Sequence, residues 1–135
     1  MRTAALDVGD ARIGVAVSDE LGMTARGIGV VKRVGGLRDL EAIARMLAPF
    51  APARVVVGLP LNMNGSEGPQ AAKVRAFAAR VEGHLAVPIA FWDERLTTVE
   101  AEETLRAARI KPARRRQLID QEAAAIILES YLRAS

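Results

Sequence analysis

The run Val55-Val56-Val57, within a segment from Ala53 to Leu59, restricts the fold more than any other stretch. Side chains alternate between the two faces of a strand, so a strand can be apolar at every position only when both faces are covered. The run therefore predicts a central parallel strand in an α/β sheet with layers on both sides.

The flanking segments fill in that architecture. Thr3 to Val8, Arg12 to Ser18 and Arg26 to Arg33 read as three strands, the first two joined by the turn Gly9-Asp10-Ala11, and together predict an antiparallel meander. Gly35-Gly36 breaks the pattern, after which Leu37, Leu40, Ile43, Ala44 and Leu47 recur at helical spacing until Pro49. Pro69 suits the first position of a second helix running to about Glu82, and Val87 to Trp92 reads as another strand. Thr97 and Glu100 have capping-box spacing for a third helix, Arg109 to Arg116 reads as a basic loop broken by Pro112, and an amphipathic helix is predicted from Leu118 onward. The expected fold is α/β, a mixed five-stranded sheet whose first three strands are antiparallel, with helices on both faces.

With 135 residues, the chain is expected to form a single domain over 1–135 that buries about 70% of its unfolded surface. Half the residues are hydrophobic and 26% are charged, which excludes intrinsic disorder. Without cysteine, the chain has no disulfide framework, iron–sulfur cluster or thiolate zinc site, and His84 alone cannot make a His-rich metal centre. Any chemistry must rest mainly on carboxylates. No apolar run approaches the ~20 residues of a membrane span and no signal peptide is evident, so the expected address is cytoplasmic, with no membrane partner.

Asp7 interrupts an apolar strand, where an ionised carboxylate needs compensation. Two readings stand: an ion pair with Arg12 or Arg95, or a metal ligand at the strand's carboxyl end. Asp93 and Glu94 end another strand on opposite faces, so only one of them can share a site with Asp7, and periodicity does not choose between them. Asp120 falls on the stripe of Ala124 and Ile127 that faces the sheet, near the expected start of the last helix, where an acid can also serve the helix dipole. Three carboxylates from two strand ends and a helix would make an oxygen-only pocket for a hard cation, Mg²⁺ or Mn²⁺, able to support phosphodiester hydrolysis.

Four motifs in order, Leu6-Asp7-Val8-Gly9-Asp10-Ala11-Arg12-Ile13-Gly14, Val57-Gly58-Leu59-Pro60-Leu61-Asn62 with Gly65-Ser66-Glu67-Gly68, Asp93-Glu94-Arg95-Leu96-Thr97-Thr98 and Asp120-Gln121-Glu122-Ala123-Ala124, resemble the YqgF/RuvX family. The resemblance implies an RNase H-like three-layer fold related to the RuvC junction resolvases. It makes Asp7, Glu94 and Asp120 the catalytic acids and metal ligands, with Glu94 rather than Asp93 joining Asp7. It also implies a metal-dependent endonuclease that matures the 5′ end of pre-16S rRNA or resolves Holliday junctions. RuvC-type resolvases carry a further acid one helical turn along the last helix, where this chain has Ala123, and many relatives carry Asp where it has Asn64.

The expected partner is structured RNA or branched DNA. Candidate backbone contacts are Arg12, Asn62, Ser66, Arg95 and the basic run Arg109, Lys111, Arg114, Arg115 and Arg116; Asn62 and Ser66 also suit simple turn formation. A homodimer would suit a two-fold symmetric junction. Two other classes fit parts of the sequence: a non-catalytic nucleic-acid or ribosome-assembly module, and a nucleotide-phosphate enzyme suggested by Asp7-x-Gly9 followed by Gly14.

Overall fold

The computed structural model describes residues 1–95 and 112–134, with only the backbone described over 112–118. Five strands, β1 (Thr3–Val8), β2 (Arg12–Ser18), β3 (Ala25–Lys32), β4 (Arg54–Leu59) and β5 (Ile89–Asp93), form one sheet in the order β3-β2-β1-β4-β5. β1 and β2, and β2 and β3, pair antiparallel, whereas β1 and β4, and β4 and β5, pair parallel. The mixed topology is the expected one, and strand bounds shift by no more than two residues from those read in the sequence.

Among the described residues, three α-helices cover the sheet: α1 (Leu37–Leu47), α2 (Pro69–Leu85) and α3 (Pro112–Ala134). The first begins after Gly35 and Gly36, both at positive φ (96° and 63°), a backbone state that costs glycine little. Buried Asp39 fixes this turn by accepting the amides of Val34 and Gly35 at 2.9 and 3.2 Å. Pro69 opens α2 as expected, and α2 ends at left-handed Ala86, whose N–H reaches the Glu82 carbonyl at 2.9 Å.

At the last helix the structure corrects the sequence reading. Pro112 is the first residue of α3 and does not break a loop, so Arg114, Arg115 and Arg116 lie on a helix. Proline lacks the N–H that a first-turn residue would leave unpaired, and its fixed φ suits that position. Asp120 consequently stands in the third turn, beyond reach of the helix's positive end. The capping box at Thr97 and Glu100 lies outside the described residues, as do Arg109 and Lys111.

Strand alternation separates two cores. On one face Leu6, Ile13, Val15, Val17, Val55 and Val57 meet Leu40, Ile43 and Leu47 of α1 and Val74, Phe77 and Val81 of α2. Each fully buried aliphatic side chain there contributes roughly 1.5–3 kcal/mol. On the other face Ala5, Ala16 and Val56 meet Ala124, Ala125, Ile127 and Leu128 of α3. Val56 belongs to this second core while its neighbours Val55 and Val57 belong to the first, the two-sided covering that the valine run demanded. Among the described residues, no helix is long and apolar enough to cross a membrane.

Candidate active site

Asp7 lies in central β1 on the face it shares with Ala5, opposite Leu6 and Val8, and is thereby turned toward α3. The same alternation resolves Asp93 from Glu94. Ala90 and Trp92 pack toward α3, so Glu94 continues that face, while Asp93 turns away and receives a double hydrogen bond from Arg95, with contacts at 2.9 and 2.6 Å. Register supplies the remaining dimension: Leu59 pairs with Asp93, and the Glu94 amide reaches the Leu59 carbonyl at 3.4 Å, so Glu94 leaves the sheet at its carboxyl end near the end of β1.

Glu94 and Asp7 share a hydrogen bond. Burial, then the charge of Asp7 and this bond, push the Glu94 carboxyl up to about 8, so it is the proton holder and donates to Asp7. Asp7 is raised as well, first by burial and then by the negative charge of Asp120, while the bond from Glu94 opposes the rise. Asp93, bonded to Arg95 at the rim, is held below the usual carboxylate range.

Asp120 reaches the same end of the sheet from α3, but its Oδ2 accepts from Arg12 Nε at 2.5 Å. Arg12 therefore partners Asp120, and Arg95 partners Asp93. Neither is the partner of Asp7, which is Glu94. Among the described residues, no three Asp, Glu or His side chains are arranged to hold a metal ion as they stand. The structure thus joins two of the three expected acids directly and holds the third within electrostatic range, turned onto an arginine. The donors nevertheless suit a hard divalent cation in kind: carboxylate oxygens, two of them in contact and desolvated, with a third negative charge near enough to raise Asp7.

Glycines set the depth of the site, and the sequence reading did not single them out for that role. A Cβ on Gly14, the partner of Asp7 in the ladder, would overlap the backbone carbonyl of Asp120. One on Gly27 would lie 2.8 Å from the Gln121 carbonyl oxygen, and one on Gly58 would lie 2.5 Å from Glu94 Oε2 and 2.6 Å from Ile127 Cδ1. All three belong to the α3 face. The available signal was glycine or alanine at alternate strand positions, as in Gly14 and Ala16.

The loop from Pro60 to Gly68 closes on itself. The Asn62 amide reaches the Ser66 carbonyl at 2.8 Å, Asn62 Nδ2 donates to Ser66 Oγ at 3.0 Å, and the Ser66 amide donates to Asn64 Oδ1 at 3.0 Å. Arg95 Nη1 donates to the Met63 carbonyl at 3.2 Å and ties this loop to the end of β5. Asn62 and Ser66 are thus engaged in shaping the loop that borders the acids. Trp92 packs its ring edge-on to Tyr131 at 5.7 Å and donates from its indole nitrogen to Ser130 Oγ at 2.9 Å, anchoring α3.

The family model described as "RuvX: Holliday junction resolvase" matches residues 1–134. A protein of Myxococcus xanthus named "Putative pre-16S rRNA nuclease" is 51% identical over 99% of this chain and 89% of its own length. One of the same name from Heliobacterium modesticaldum is 46% identical over 99% of this chain and 90% of its own. Among solved structures, T. thermophilus RuvC in complex with a Holliday junction substrate superposes with a TM-score of 0.59 at 21% identity, covering 100% of this chain and 96% of that one. The Fowlpox virus resolvase with Holliday junction DNA gives 0.60 at 11% identity, covering 99% and 98%. At these identities the two structures establish a shared fold, the RNase H-like fold of the resolvases.

Proposed function

The chain belongs to the RuvX family, and from that premise we propose that it is a metal-dependent endonuclease that hydrolyses phosphodiester bonds in structured nucleic acid, its substrate being the 5′ end of pre-16S rRNA. The observation that carries this reading is the desolvated Asp7–Glu94 pair at the end of the central strand, with Asp120 close enough to raise Asp7. Apolar burial of acids is unfavourable unless something compensates their charge, and a divalent cation does so. Asp7 and Glu94 would hold Mg²⁺ or Mn²⁺, joined by Asp120 once it leaves Arg12. When bound, the ion supplies positive charge against the charge that develops on the phosphate oxygens during cleavage. Loss of the shared proton turns Glu94 from hydrogen-bond donor to acceptor, suited to orienting a water, and released Arg12 is then available to a substrate phosphate. The names of the full-length relatives favour the rRNA precursor over a four-way junction as substrate.

The Arg12–Asp120 ion pair is what favours the second reading, a nucleic-acid-binding module of the same fold without cleavage. One assay separates them: Mn²⁺-dependent cleavage of a precursor rRNA leader and of a four-way junction, side by side, by wild type and Asp7→Asn. The nuclease reading expects the leader to be cut and the variant to lose at least ~10³-fold in rate, about 4 kcal/mol of transition-state stabilisation. Undiminished cleavage by Asp7→Asn removes Asp7 from the mechanism. Tight binding without cleavage of either substrate, together with no carboxylate-dependent uptake of Mn²⁺ by titration calorimetry, establishes the module.

A further inference from the structure

On the face of the sheet opposite the acids lies a cleft of about 500 Å³ between α2, the Gly9–Ala11 turn and the segment following β3. Its floor is apolar, formed by Val8, Val74 and Phe77, and its walls carry Arg33, Lys73 and Arg80. The Arg33 guanidinium lies over the Phe77 ring, 4.6 Å from its centroid. Lys73, Phe77 and Arg80 are four and three positions apart on α2, so each step is about one helical turn, ~4.5–6 Å along the axis. The stacked Arg33 therefore falls between Lys73 and Arg80, and three cations follow one another along the helix.

The acids facing the cleft are few. Asp10 lines it and accepts from Gln70 Nε2 at 3.3 Å, while buried Asp39 stands 3.6 Å from Arg33 Nε and is already committed to the amides of Val34 and Gly35. Lys73 and Arg80 are exposed, and among the described residues neither is in an ion pair. Cations spaced about one helical turn apart suit the regularly spaced charges of a nucleic-acid backbone. The cleft is also continuous with the candidate active site through the chain itself: Val8 on its floor follows Asp7, and Arg33 Nη1 donates to the Gly9 carbonyl at 2.9 Å, holding the turn that separates the two.

We propose that this cleft is a second phosphate-binding site, in which Arg33, Lys73 and Arg80 grip the backbone of a polynucleotide whose path crosses the carboxyl end of β1 to the acids on the other face; the assignment rests on the nuclease reading above. Cations on both faces of β1's end would clamp the strand beside the bond to be cut. Phosphate contacts here hold substrate without reading its sequence.

The test is binding of a labelled precursor rRNA leader and a labelled four-way junction across a salt series, by fluorescence anisotropy, without added divalent ions. Lys73→Ala/Arg80→Ala is compared with wild type and with Arg45→Ala, which removes an exposed cation of α1 outside the cleft. Both cleft side chains are exposed, so folding is preserved, which circular dichroism checks. The double variant is expected to lose roughly tenfold or more in affinity at moderate salt and to flatten the slope of log K against log salt by about 1.8 on duplex arms. Lys73→Glu/Arg80→Glu should lose more. Affinity and slope unchanged, or a loss no greater than that of Arg45→Ala, overturns the proposal. Inorganic phosphate or a mononucleotide whose binding the double variant abolishes, with polynucleotide binding intact, makes the cleft a small-anion site and equally overturns it. If wild type cuts and the double variant binds as wild type does, only the cleft assignment falls. If the double variant loses binding but wild type never cuts, the nuclease reading falls and the cleft stands.

Discussion

The two faces of the sheet are built from different materials. Toward α1 and α2 the strands present leucine, isoleucine and valine, and the helices answer with side chains of similar size. Toward α3 they present mostly small residues, Ala5, Gly14, Ala16, Gly27 and Gly58 beside Val56, and the helix answers with Ala124 and Ala125 as well as Ile127 and Leu128. Interdigitated bulk gives the first face its stability. The second brings the backbone of α3 down onto the strands, so that Asp120 on the helix comes within electrostatic range of Asp7 on its strand. Burial drives the first face together, and the second is shaped for proximity.

Adding a methyl group to the thin face should break this contrast most severely. Gly14→Ala sets a Cβ against the carbonyl of Asp120, where only backbone could yield, and is expected to cost more than about 3 kcal/mol. On the thick face the damaging change is a deletion: Ile43→Ala should cost about 3 kcal/mol through its cavity while leaving α3 seated. Urea unfolding measures both, and the fluorescence of Trp92, the single tryptophan, bonded to Ser130, reports whether α3 stays docked. A Gly14→Ala protein with wild-type stability and native Trp92 emission would erase the distinction between the faces.

Glu94→Gln sharpens the comparison through pH. Folding raises the Glu94 carboxyl from 4.5 to about 8 and raises Asp7 as well, so between those values the native state binds more protons than the unfolded chain. The sign follows: in metal-free protein the contribution is fully present below the unfolded value and is lost as pH rises through about 8. Melting temperature in chelator should therefore fall from about pH 5 to about pH 9 in wild type and fall less in Glu94→Gln, whose amide keeps a donor to Asp7 without ionising. Equal slopes would show that the pair is not proton-linked. The smallest effect is expected of Arg12→Ala. Its pair with Asp120 is partly exposed, at 30% and 20% of the two side chains, so its removal should cost within about 1 kcal/mol in urea unfolding. A larger loss would make Arg12 a structural clasp for α3.

Legibility in the sequence followed the same division. The thick face was readable because valine runs and helical spacing of Leu40, Ile43 and Leu47 announce burial directly. Asp7 stood out as a charge in an apolar strand. The choice of Glu94 over Asp93 needed the resemblance, since alternation ranks two adjacent acids only after the register with β4 is known. Partners were the least legible: Arg12 looked equally able to serve Asp7, and its distance to Asp120 is a property of α3's seating. The start of α3 was missed because proline reads as an interruption until the helix that follows it is seen. That glycine would govern the site was hidden by the ordinary appearance of glycine in turns.

The pairing of Arg12 with Asp120 joins positions 108 apart in the chain. Contacts of such long sequence separation demand that most of the polymer be arranged before they form, and they weigh against rapid assembly. Asp7 is made with the first strand and Asp120 with the last described helix, so a chain emerging from synthesis holds one acid long before it holds all three. The Arg12–Asp120 pair, and with it the gathering of the acids at one end of the sheet, would then form only at the close of folding.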